Sequence, residues 1–337
     1  MTPAIDIAPL FSGPSPKRDA VDAAIMEAAG DLGFLSVTGG PGAALIAPEG
    51  RAALKSIFDV PEAVKRRLMR VNFNPANKAV IRGWYPLQPG VRSYKEGIDM
   101  GPDLARPQPE SDDPLREPTP LPTEEEAPGW RNVAAEYYVT METIGAALMR
   151  SAARGLGLAE DVFAPLFEEG ISSFRLAHYP PRTPESYGGQ DPALASIEHE
   201  GEVLELSGVA HIDSGFVTLL VQDGVPGLQA QRTDGAWLDV PPEEGVITVN
   251  FGKLLETWTG GRIRATRHRV VSRGEERYSI PFFYEPAAEA VIRPLPLDGA
   301  EQFSPFTYGD FLWEATTQFV EQKGIAHLRT PRGAPSA

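Results

Sequence analysis

The feature that most constrains the fold is a run of short strand-like segments that begins at residue 171. Glycine, aspartate and proline separate these segments, and many of them are rich in β-branched and aromatic side chains. In order they are ISSFRLAHY, VLELSGVAHID, FVTLLV, GLQAQ, AWLDV, GVITVNFG, ATRHRVV and YSIPFFYE. Short strands at this spacing are typical of two packed sheets. The sequence therefore predicts a jelly roll or a sandwich in the C-terminal half.

The N-terminal part has a different pattern. Residues 4–7 and 33–38 read as short strands that flank a helix, and Ser15 followed by Pro16 is a typical helix start. A second helix is expected near 48–70, where apolar side chains recur among lysines and arginines. Residues 101–128 contain eight prolines and eight acidic side chains, which favours a solvated surface connector.

A long helix is expected to follow the connector. Apolar side chains recur every three or four residues from Trp130 to Ala152, and Gly155 and Gly157 mark its end. Residues 305–323 return to helical spacing. The predicted fold is mixed α+β. It has an N-terminal α/β portion with its connector at 1–128, then the long helix, a double-stranded β-helix (jelly-roll) core and a C-terminal helix at 129–337.

Composition narrows the classes of function. The chain has 337 residues, no cysteine and a formal net charge of −15. The lack of cysteine excludes disulfides, cysteine nucleophiles, thiolate zinc sites and iron–sulfur clusters. The negative charge argues against nucleic acid or an anionic membrane as partner. No apolar stretch is long enough to span a membrane and the N-terminus lacks the pattern of a signal peptide, so we expect a cytoplasmic protein. Nothing in the composition predicts the oligomeric state.

The five histidines limit where a metal could bind, and one of them begins a His-x-acid pair, His211-Ile212-Asp213. The pair closes a predicted strand, in which positions i and i+2 point to the same face. His268, within the segment ATRHRVV, offers a third ligand. Two imidazoles and one carboxylate on one side of a metal leave open positions, which suits the oxygen chemistry of non-haem Fe(II).

Arg277 and Ser279 show the same strand spacing, so a guanidinium and a hydroxyl are expected to converge inside the core. An inward arginine needs an anion to offset its lost hydration. A carboxylate that binds the planar guanidinium through two hydrogen bonds is a natural partner. The structural alternative is an arginine paired with an aspartate or glutamate of the core.

The order of these motifs resembles the Fe(II)/2-oxoglutarate-dependent dioxygenases of the isopenicillin N synthase-like branch. The family's core pattern is present as HIDSGFVTLLVQDGVPGLQAQRTDGAWLDVPPEEGVITVNFG, followed by RHRVV and RYS. The motifs typical of the family's N-terminal region are present as PAIDI, DLGFLSV and FDVPEAVK. The resemblance covers most of the chain. It implies a jelly-roll enzyme that uses Fe(II), 2-oxoglutarate and O2.

The resemblance also implies site residues. The positions that match the family's iron ligands are His211, Asp213 and His268. The positions that match its 2-oxoglutarate site are Arg277, Ser279 and Tyr179, where the first two bind the distal carboxylate and the phenol adds a hydrogen bond.

Other matching positions concern the prime substrate and two departures from the family. The positions that tend to face the substrate are occupied by Arg175, Phe283 and Glu285, although plain core packing is the alternative for the phenylalanine. The family's usual asparagine is Ala177, and its usual aspartate after Val-Asn is Lys253. Neither departure falls on a proposed metal ligand.

The implied reaction oxidises an unidentified small molecule by hydroxylation, desaturation or cyclisation, with succinate and CO2 as co-products. Other functions stay open. An oxidase like isopenicillin N synthase would not use 2-oxoglutarate, and Arg277 and Ser279 would then bind a substrate carboxylate. An ethylene-forming type would fragment 2-oxoglutarate itself. A non-catalytic jelly-roll binding module would carry the histidines incidentally or around a structural metal.

The connection between Tyr179 and His211 is long, with 31 residues between them. Residues 185–205 hold six acidic side chains, no lysine or arginine, and a possible hinge at Gly188-Gly189. Long loops in compact domains are often lids or disordered. The pattern predicts a mobile lid that favours a substrate with a cationic or amine group. A solvated acidic loop without a role is the alternative.

Overall fold

The computed structural model describes residues 4–333. The α-helices in this range are α1 (Pro16–Asp31), α2 (Ala43–Ile46), α3 (Pro48–Lys55), α4 (Glu62–Leu68), α5 (Trp130–Gly155), α6 (Ala164–Phe167), α7 (Lys253–Trp258) and α8 (Tyr308–Thr316). Short 3-10 helices cover Ala8–Phe11, Ser56–Asp59, Pro102–Leu104, Pro114–Arg116, Pro184–Tyr187, Pro192–Ala195, Val320–Gln322 and Ala326–Leu328. Between residues 4 and 333, no helix combines the length and the apolar character needed to cross a membrane.

The strands form two main sheets and a small third one. In chain order they are β1 (Ile5–Asp6), β2 (Phe34–Thr38), β3 (Gly83–Tyr85), β4 (Glu96–Met100), β5 (Ser173–Tyr179), β6 (Ser196–His199), β7 (Glu202–His211), β8 (Val217–Gln222), β9 (Leu228–Gln231), β10 (Trp237–Asp239), β11 (Ile247–Phe251), β12 (His268–Ser272), β13 (Arg277–Tyr284), β14 (Val291–Ile292) and β15 (Phe306–Thr307). Each of the eight strand-like segments in the C-terminal half therefore contains a strand, as predicted.

The two main sheets form the jelly roll. The large sheet has the order β1-β2-β11-β8-β13-β5-β4-β3, and the small sheet has the order β10-β9-β12-β7-β6. Side chains of both sheets pack together between them, among them Phe34 and Leu220 from the large sheet and Leu228 and Val270 from the small one. The mixed α+β fold with a jelly-roll core is as predicted.

The N-terminal elements extend the large sheet. β2 pairs antiparallel with β11, and β1 pairs parallel with β2. The helix between these two strands begins as predicted, because the backbone N–H of Arg18 donates to Ser15 Oγ at 3.3 Å. Asp22 of α1 accepts hydrogen bonds from Ser151 and Arg154 of α5, which joins the two helices. The N-terminal part thus packs against the same core as the strands.

Helix α5 supports the large sheet from outside. The Tyr137 hydroxyl donates to the carbonyl of Ile280 at 3.1 Å, and the Tyr138 hydroxyl donates to the carbonyl of Ser172 at 2.8 Å. The apolar stripe predicted from the sequence is buried along this helix, which ends at Gly155 as expected. The stripe is core packing, and it holds the strands that carry the site.

Two expectations for the N-terminal part were wrong. The helix predicted near 48–70 is two helices, because Val60 before Pro61 is extended (ψ 147°), as steric contact with the proline ring requires. Residues 101–128 are not a solvated connector throughout. Leu104 and Leu115 are buried in the core, and the carboxylate of the buried Asp113 pairs with Arg329 at 2.8 Å. The proline-rich composition predicted irregular backbone correctly but could not show that it packs.

Two expectations for the C-terminal part were also wrong in detail. The helical spacing at 305–323 corresponds to β15, then α8, which ends at Thr316, and then a short 3-10 helix. Residues 185–205 are ordered as two 3-10 turns and a β-hairpin, in which β6 pairs with the first residues of β7 around a turn at Glu200-Gly201. The excess length of this connection extends the small sheet.

Candidate active site

Three potential metal ligands lie together where β7 and β12 meet. His211 ends β7 and His268 begins β12, and the two are direct partners across the strand pair. Asp213 follows β7, with its Oδ1 atom 3.5 Å from His211 Nε2 and 3.7 Å from His268 Nε2. The possible ligand atoms of the three side chains all lie within 4.8 Å of one another. The structure therefore brings together the three residues that the sequence singled out.

Backbone carbonyls orient both imidazoles. His211 Nδ1 lies 2.9 Å from the carbonyl oxygen of Val209, and His268 Nδ1 lies 3.1 Å from that of Thr266. Because a carbonyl only accepts hydrogen bonds, each Nδ1 carries the proton and donates it. Each Nε2 therefore keeps its lone pair free and directs it toward Asp213, as metal-binding histidines do.

Asp213 is held in the same manner. Its Oδ2 atom accepts hydrogen bonds from Thr218 Oγ1 at 2.6 Å and from Asn250 Nδ2 at 2.8 Å. Burial alone would raise the pKa of this carboxyl group, but the neighbouring His268 and His211 together with these hydrogen bonds lower it. The group is therefore ionised, and Oδ1 remains free on the side of the imidazoles.

The donor set fits Fe(II). Two imidazole nitrogens and one carboxylate oxygen converge from one side, and they leave the other side of an ion open. Burial lowers the pKa of His268, which favours its neutral form, the form that binds a metal. Sequence reasoning did not single out Thr218 or Asn250, although the asparagine stands in the quoted segment ITVNF.

Arg277 lies in the neighbouring part of the core without an anionic partner. It is 2% exposed, and its Nε and Nη1 atoms have no hydrogen-bond partner among residues 4–333. Its Nη2 atom donates to Gln222 Oε1 at 3.5 Å. Burial lowers the pKa of this guanidinium. No carboxylate of the described chain lies within salt-bridge distance of it, so the structural alternative of a core ion pair is not what the structure contains.

Tyr179 and Ser279 lie beside this arginine. Tyr179 of β5 is the direct strand partner of Arg277, and its ring centroid lies 5.4 Å from the guanidinium carbon. The Ser279 hydroxyl donates to the Tyr179 hydroxyl at 3.5 Å. Burial would raise the pKa of Tyr179, but the positive charges of Lys95 and Arg277 lower it. The three predicted residues thus form one polar cluster that is positively charged.

A cavity of about 430 Å³ extends from the metal ligands into the chain. Its wall includes His211, Asp213 and Tyr179, whereas His268, Arg277 and Ser279 are not among the residues that line it. All three residues predicted to face the substrate belong to the wall: Arg175, Phe283 and Glu285. The cavity is large enough for a small molecule.

Glu285 lies in an apolar part of this wall. Its carboxyl group accepts a hydrogen bond from the Tyr308 hydroxyl. A Cβ atom at Gly215 would come within 2.4 Å of Glu285 Oε1, so a side chain at that position would have to displace the carboxyl group. Burial raises the pKa of Glu285 to about 8. The group is therefore mainly protonated and neutral at neutral pH.

A second group of charged side chains includes only one residue, Arg175, that was found from the sequence. Arg175 donates from Nε and Nη2 to the Asp99 carboxylate at 2.6 and 2.8 Å. Lys95 Nζ lies 2.7 Å from Glu321 Oε1. All four side chains line the cavity. The sequence did contain a pattern that could have predicted part of this group, because Lys95, Gly97 and Asp99 follow the two-residue spacing of one strand face.

The segment that covers the cavity is C-terminal. Residues of the wall between 312 and 322 are Leu312, Thr316, Gln318, Phe319, Val320, Glu321 and Gln322, and we call residues 312–322 the C-terminal cover. The ring of Phe319 meets the His211 ring edge to face at 6.1 Å between centroids. No residue of 185–205 lines the cavity, so the structure shows no contact between the predicted lid and the candidate site. Its acidic side chains give no information about the substrate.

Comparison with known proteins agrees with this geometry. Residues 171–286 match the model of the 2OG-Fe(II) oxygenase superfamily, and residues 2–124 match that of the non-haem dioxygenase in morphine synthesis N-terminal region. An isopenicillin N synthase from Streptomyces clavuligerus is 30% identical over 96% of both chains. The chain belongs to the 2OG-Fe(II) oxygenase superfamily. It is a dioxygenase, an oxidoreductase whose cofactors are Fe(II) and 2-oxoglutarate with O2 as oxidant.

Further similar proteins include a second curated relative and a solved structure. A 2-oxoglutarate-Fe(II) type oxidoreductase from Aspergillus fumigatus is 30% identical over 84% of this chain and 81% of its own. Among solved structures, a full-length Neurospora crassa protein in complex with alpha-KG and thymine covers 94% of this chain and 96% of its own, at 22% identity and a TM-score of 0.74. At that identity the likeness shows the shared fold alone.

The two departures from the superfamily pattern lie away from the ligands. The Lys253 side chain is exposed and pairs with Glu256, and it does not line the cavity. Its backbone N–H donates to the carbonyl of Asp213 at 2.7 Å, a contact that any residue except proline makes. Ala177 is buried between strand partners Ser279 and Gly97. Neither position changes the donor set of the metal.

Proposed function

We propose that this chain is a 2-oxoglutarate-dependent oxygenase that oxidises a small molecule and binds its iron through His211, Asp213 and His268. The observation that carries the proposal is the orientation of the two free Nε2 atoms and the free Asp213 Oδ1 toward one point. Each ligand is fixed by a hydrogen bond on its far side, so the site keeps its geometry before any metal binds.

The co-substrate site of the proposal consists of Arg277, Ser279 and Tyr179. A buried guanidinium with two free donor atoms needs an anion, and the distal carboxylate of 2-oxoglutarate supplies one. The hydroxyls of Ser279 and Tyr179 are close enough to each other to share that carboxylate. This arrangement would hold the co-substrate at a fixed distance from the metal ligands.

Around the bound groups, the chain positions the substrate and limits the access of water. Bound Fe(II) with 2-oxoglutarate and O2 supplies the oxidising power, which this chain's own side chains lack. Arg175, Phe283 and Glu285 would contact the prime substrate from the cavity wall. The C-terminal cover would exclude water from the reacting C–H bond. Hydroxylation, desaturation or cyclisation would depend on how these residues hold the substrate.

A second candidate is an oxidase that does not use 2-oxoglutarate. Relatives that are named isopenicillin N synthase, such as the one from Penicillium rubens at 29% identity over 96% of this chain, favour it. In that case Arg277 and Ser279 would bind a carboxylate of the substrate. An ethylene-forming reaction, in which 2-oxoglutarate itself is fragmented, is a further variant.

Titration under anaerobic conditions tests the proposal. Fe(II) and then 2-oxoglutarate are added while binding is followed by calorimetry, and a metabolite collection is then screened in air for succinate that depends on an added compound. We expect one Fe(II) and one 2-oxoglutarate per chain and substrate-stimulated succinate. Binding of Fe(II) without binding of 2-oxoglutarate would favour the oxidase, and ethylene would favour the third reaction. Failure to bind Fe(II) would leave only a binding module.

The proposal also includes the surroundings in which the enzyme acts. We place it in the cytoplasm, with a small molecule as partner and without nucleic acid or membrane partners, because of its charge of −15 and its apolar pattern. We keep the division into an N-terminal portion at 1–128 and a catalytic portion at 129–337. Expression of residues 129–337 alone tests that division, and a folded fragment that binds Fe(II) would support it.

A further inference from the structure

Five buried or partly buried side chains form one charged network at the cavity wall, and four of them line the cavity. Arg175 and Arg70 both donate to the Asp99 carboxylate. Lys95 pairs with the Glu321 carboxylate, and Arg70 Nη1 also donates to the Glu321 carbonyl at 3.4 Å. The network therefore contains three cations and only two carboxylates. One positive charge is left without a partner inside it.

This excess charge is buried. Arg70 is fully buried and Asp99 is 3% exposed, while the side chains of Lys95 and Arg175 are 14% and 18% exposed. A buried charge without a counter-charge costs free energy, because the protein interior replaces its hydration poorly. A site that keeps such a charge facing a cavity is suited to an anionic ligand.

Free donor atoms of this network face the cavity. The Asp99 carboxylate accepts hydrogen bonds from Nε and Nη2 of Arg175. No residue within 4–333 accepts a hydrogen bond from Arg175 Nη1. Glu321 is the hydrogen-bond partner of Lys95 in that range, and an ammonium group has three protons to donate. Both side chains line the cavity, and both lie close enough to Glu321 for their positive charges to lower its pKa, against the effect of burial. A carboxylate therefore fits beside these two cations.

The iron site does not compensate this charge. With the proposed function, Fe(II), the Asp213 carboxylate, the 2-oxoglutarate dianion and Arg277 together carry no net charge. Glu285 lies outside the network, and its carboxyl group is bonded to Tyr308. The counter-charge for the one excess positive charge of the network would then come from another ligand.

We propose that the prime substrate is an organic carboxylate, whose carboxylate group binds Arg175 Nη1 and Lys95 Nζ and whose apolar part contacts Phe283, Leu312 and Phe319. The inference rests on the proposed function, since it assumes that 2-oxoglutarate occupies the separate site at Arg277. It reverses the expectation of a cationic substrate, which came from the acidic residues of 185–205. The Phe283 ring already lies 5.8 Å from the Arg175 guanidinium carbon, so an apolar group and an anion can be bound side by side.

Matched ligands test the sign of the charge. A panel of alkyl and aryl carboxylates, each with its amide and its amine counterpart, is titrated into anaerobic enzyme that is saturated with Fe(II) and 2-oxoglutarate. We expect at least one carboxylate to bind about tenfold more tightly than its amide, which corresponds to about 1.4 kcal/mol, and amines to bind most weakly. If no carboxylate binds more tightly than its amide, or if amines bind best, the inference is overturned.

Two substitutions with opposite effects on the charge distinguish an anion-binding site from an ion pair that only holds the C-terminal cover in place. Lys95→Gln removes the excess positive charge and should weaken the best carboxylate about tenfold, whereas Glu321→Gln doubles the excess and should strengthen it. The double variant should bind with an affinity between those of the two single variants, because the net charge of the network is restored while the Lys95 Nζ contact stays lost. If Lys95 and Glu321 only hold the C-terminal cover in place, both single variants break the same pair and both weaken binding, which would refute the proposal.

Matched controls use an exposed ion pair of α4. Arg66→Gln and Glu62→Gln change the net charge of the enzyme by the same amounts, outside the cavity. We expect neither to change carboxylate affinity by more than about twofold, because solvent screens surface charges. Binding of Fe(II) and 2-oxoglutarate is measured first on every variant. If the unmodified enzyme does not bind Fe(II) and 2-oxoglutarate, the proposed function is refuted. If it binds both but shows no preference for carboxylates over amides, only this inference is refuted.

Discussion

Two parts of the cavity wall are built in different ways. On the jelly-roll part, strand pairing fixes His211 against His268, and Tyr179 against Arg277. The C-terminal cover contains no strand and runs from the last turn of α8 into the 3-10 helix Val320–Gln322, so side chains rather than a strand ladder hold its end. The hydrogen-bond donors that hold Glu321 all come from the N-terminal part of the chain: Arg70, Asn72 and Lys95.

The difference separates a fixed part of the site from a part that is able to move. A strand within a sheet cannot shift without the loss of several hydrogen bonds at once, whereas a segment that is held by a few side chains opens at a lower free-energy cost. Metal and co-substrate binding need fixed geometry, and substrate entry needs an opening. We therefore expect substitutions in the two parts to differ in kind and in size.

The largest effect should come from the fixed part. Asp213→Ala removes one of three ligands and should abolish both Fe(II) binding and turnover, because no other carboxylate among residues 4–333 joins the cluster. His211→Ala and His268→Ala should behave alike. Calorimetric Fe(II) titration measures the loss, with His199→Ala and His327→Ala as controls that keep the metal. Loss of iron from either control, with iron retained by His268→Ala, would show that the site is misplaced.

The next effect concerns the co-substrate. Arg277→Lys should weaken 2-oxoglutarate on the order of 2–3 kcal/mol, because an ammonium group cannot reproduce the planar fork of donors. Tyr179→Phe should cost less, on the order of 1–2 kcal/mol, since one hydrogen bond to a charged oxygen is lost. Both are measured by 2-oxoglutarate titration of the Fe(II)-loaded enzyme. Unchanged affinity in Arg277→Lys would favour the oxidase candidate.

A smaller effect should come from the C-terminal cover. Phe319→Ala removes the ring that lies against His211 and admits water to the cavity, so we expect a several-fold rise in 2-oxoglutarate consumption without substrate oxidation. Fe(II) affinity should stay the same. The ratio of succinate to oxidised substrate measures this uncoupling, and the exposed Phe11→Ala serves as the matched truncation. A fall in Fe(II) affinity instead would mean that the cover is part of the fixed geometry.

The smallest effect is expected in the acidic segment. A variant with Glu185→Gln, Glu198→Gln and Glu200→Gln removes three exposed charges that do not line the cavity. Substrate affinity and the succinate ratio should change by less than about twofold, because exposed charges are screened by salt. Substrate titration measures the affinity, and the ratio of succinate to oxidised substrate is measured as for Phe319→Ala. A loss of coupling here would restore the lid that was predicted from the sequence.

Features that depend on residues close together in the sequence could be predicted, and features that depend on contacts between distant residues could not. Strand and helix periodicity is local, so eight of the strands from residue 171 onward and α5 were predicted close to their observed bounds, whereas β6, β14 and β15 were not predicted. The three residues of the candidate metal cluster were also singled out, since the spacing of His211 and Asp213 is a property of one strand end. The break at Pro61 could have been expected from its proline. The buried state of Leu104 and Leu115 could not, because their packing partners lie elsewhere in the chain.

By itself, the sequence determined the jelly roll, the candidate metal cluster and the chemistry class, because local patterning and motif spacing carry that information. Only the tertiary structure decided which segment covers the cavity and which charges line it. Glu321 meets Lys95 and Arg70 across more than two hundred residues of chain, so no local pattern could show that pair. Residues 185–205 have the composition of a lid, but a β-hairpin with β7 keeps their backbone hydrogen-bonded away from the cavity wall.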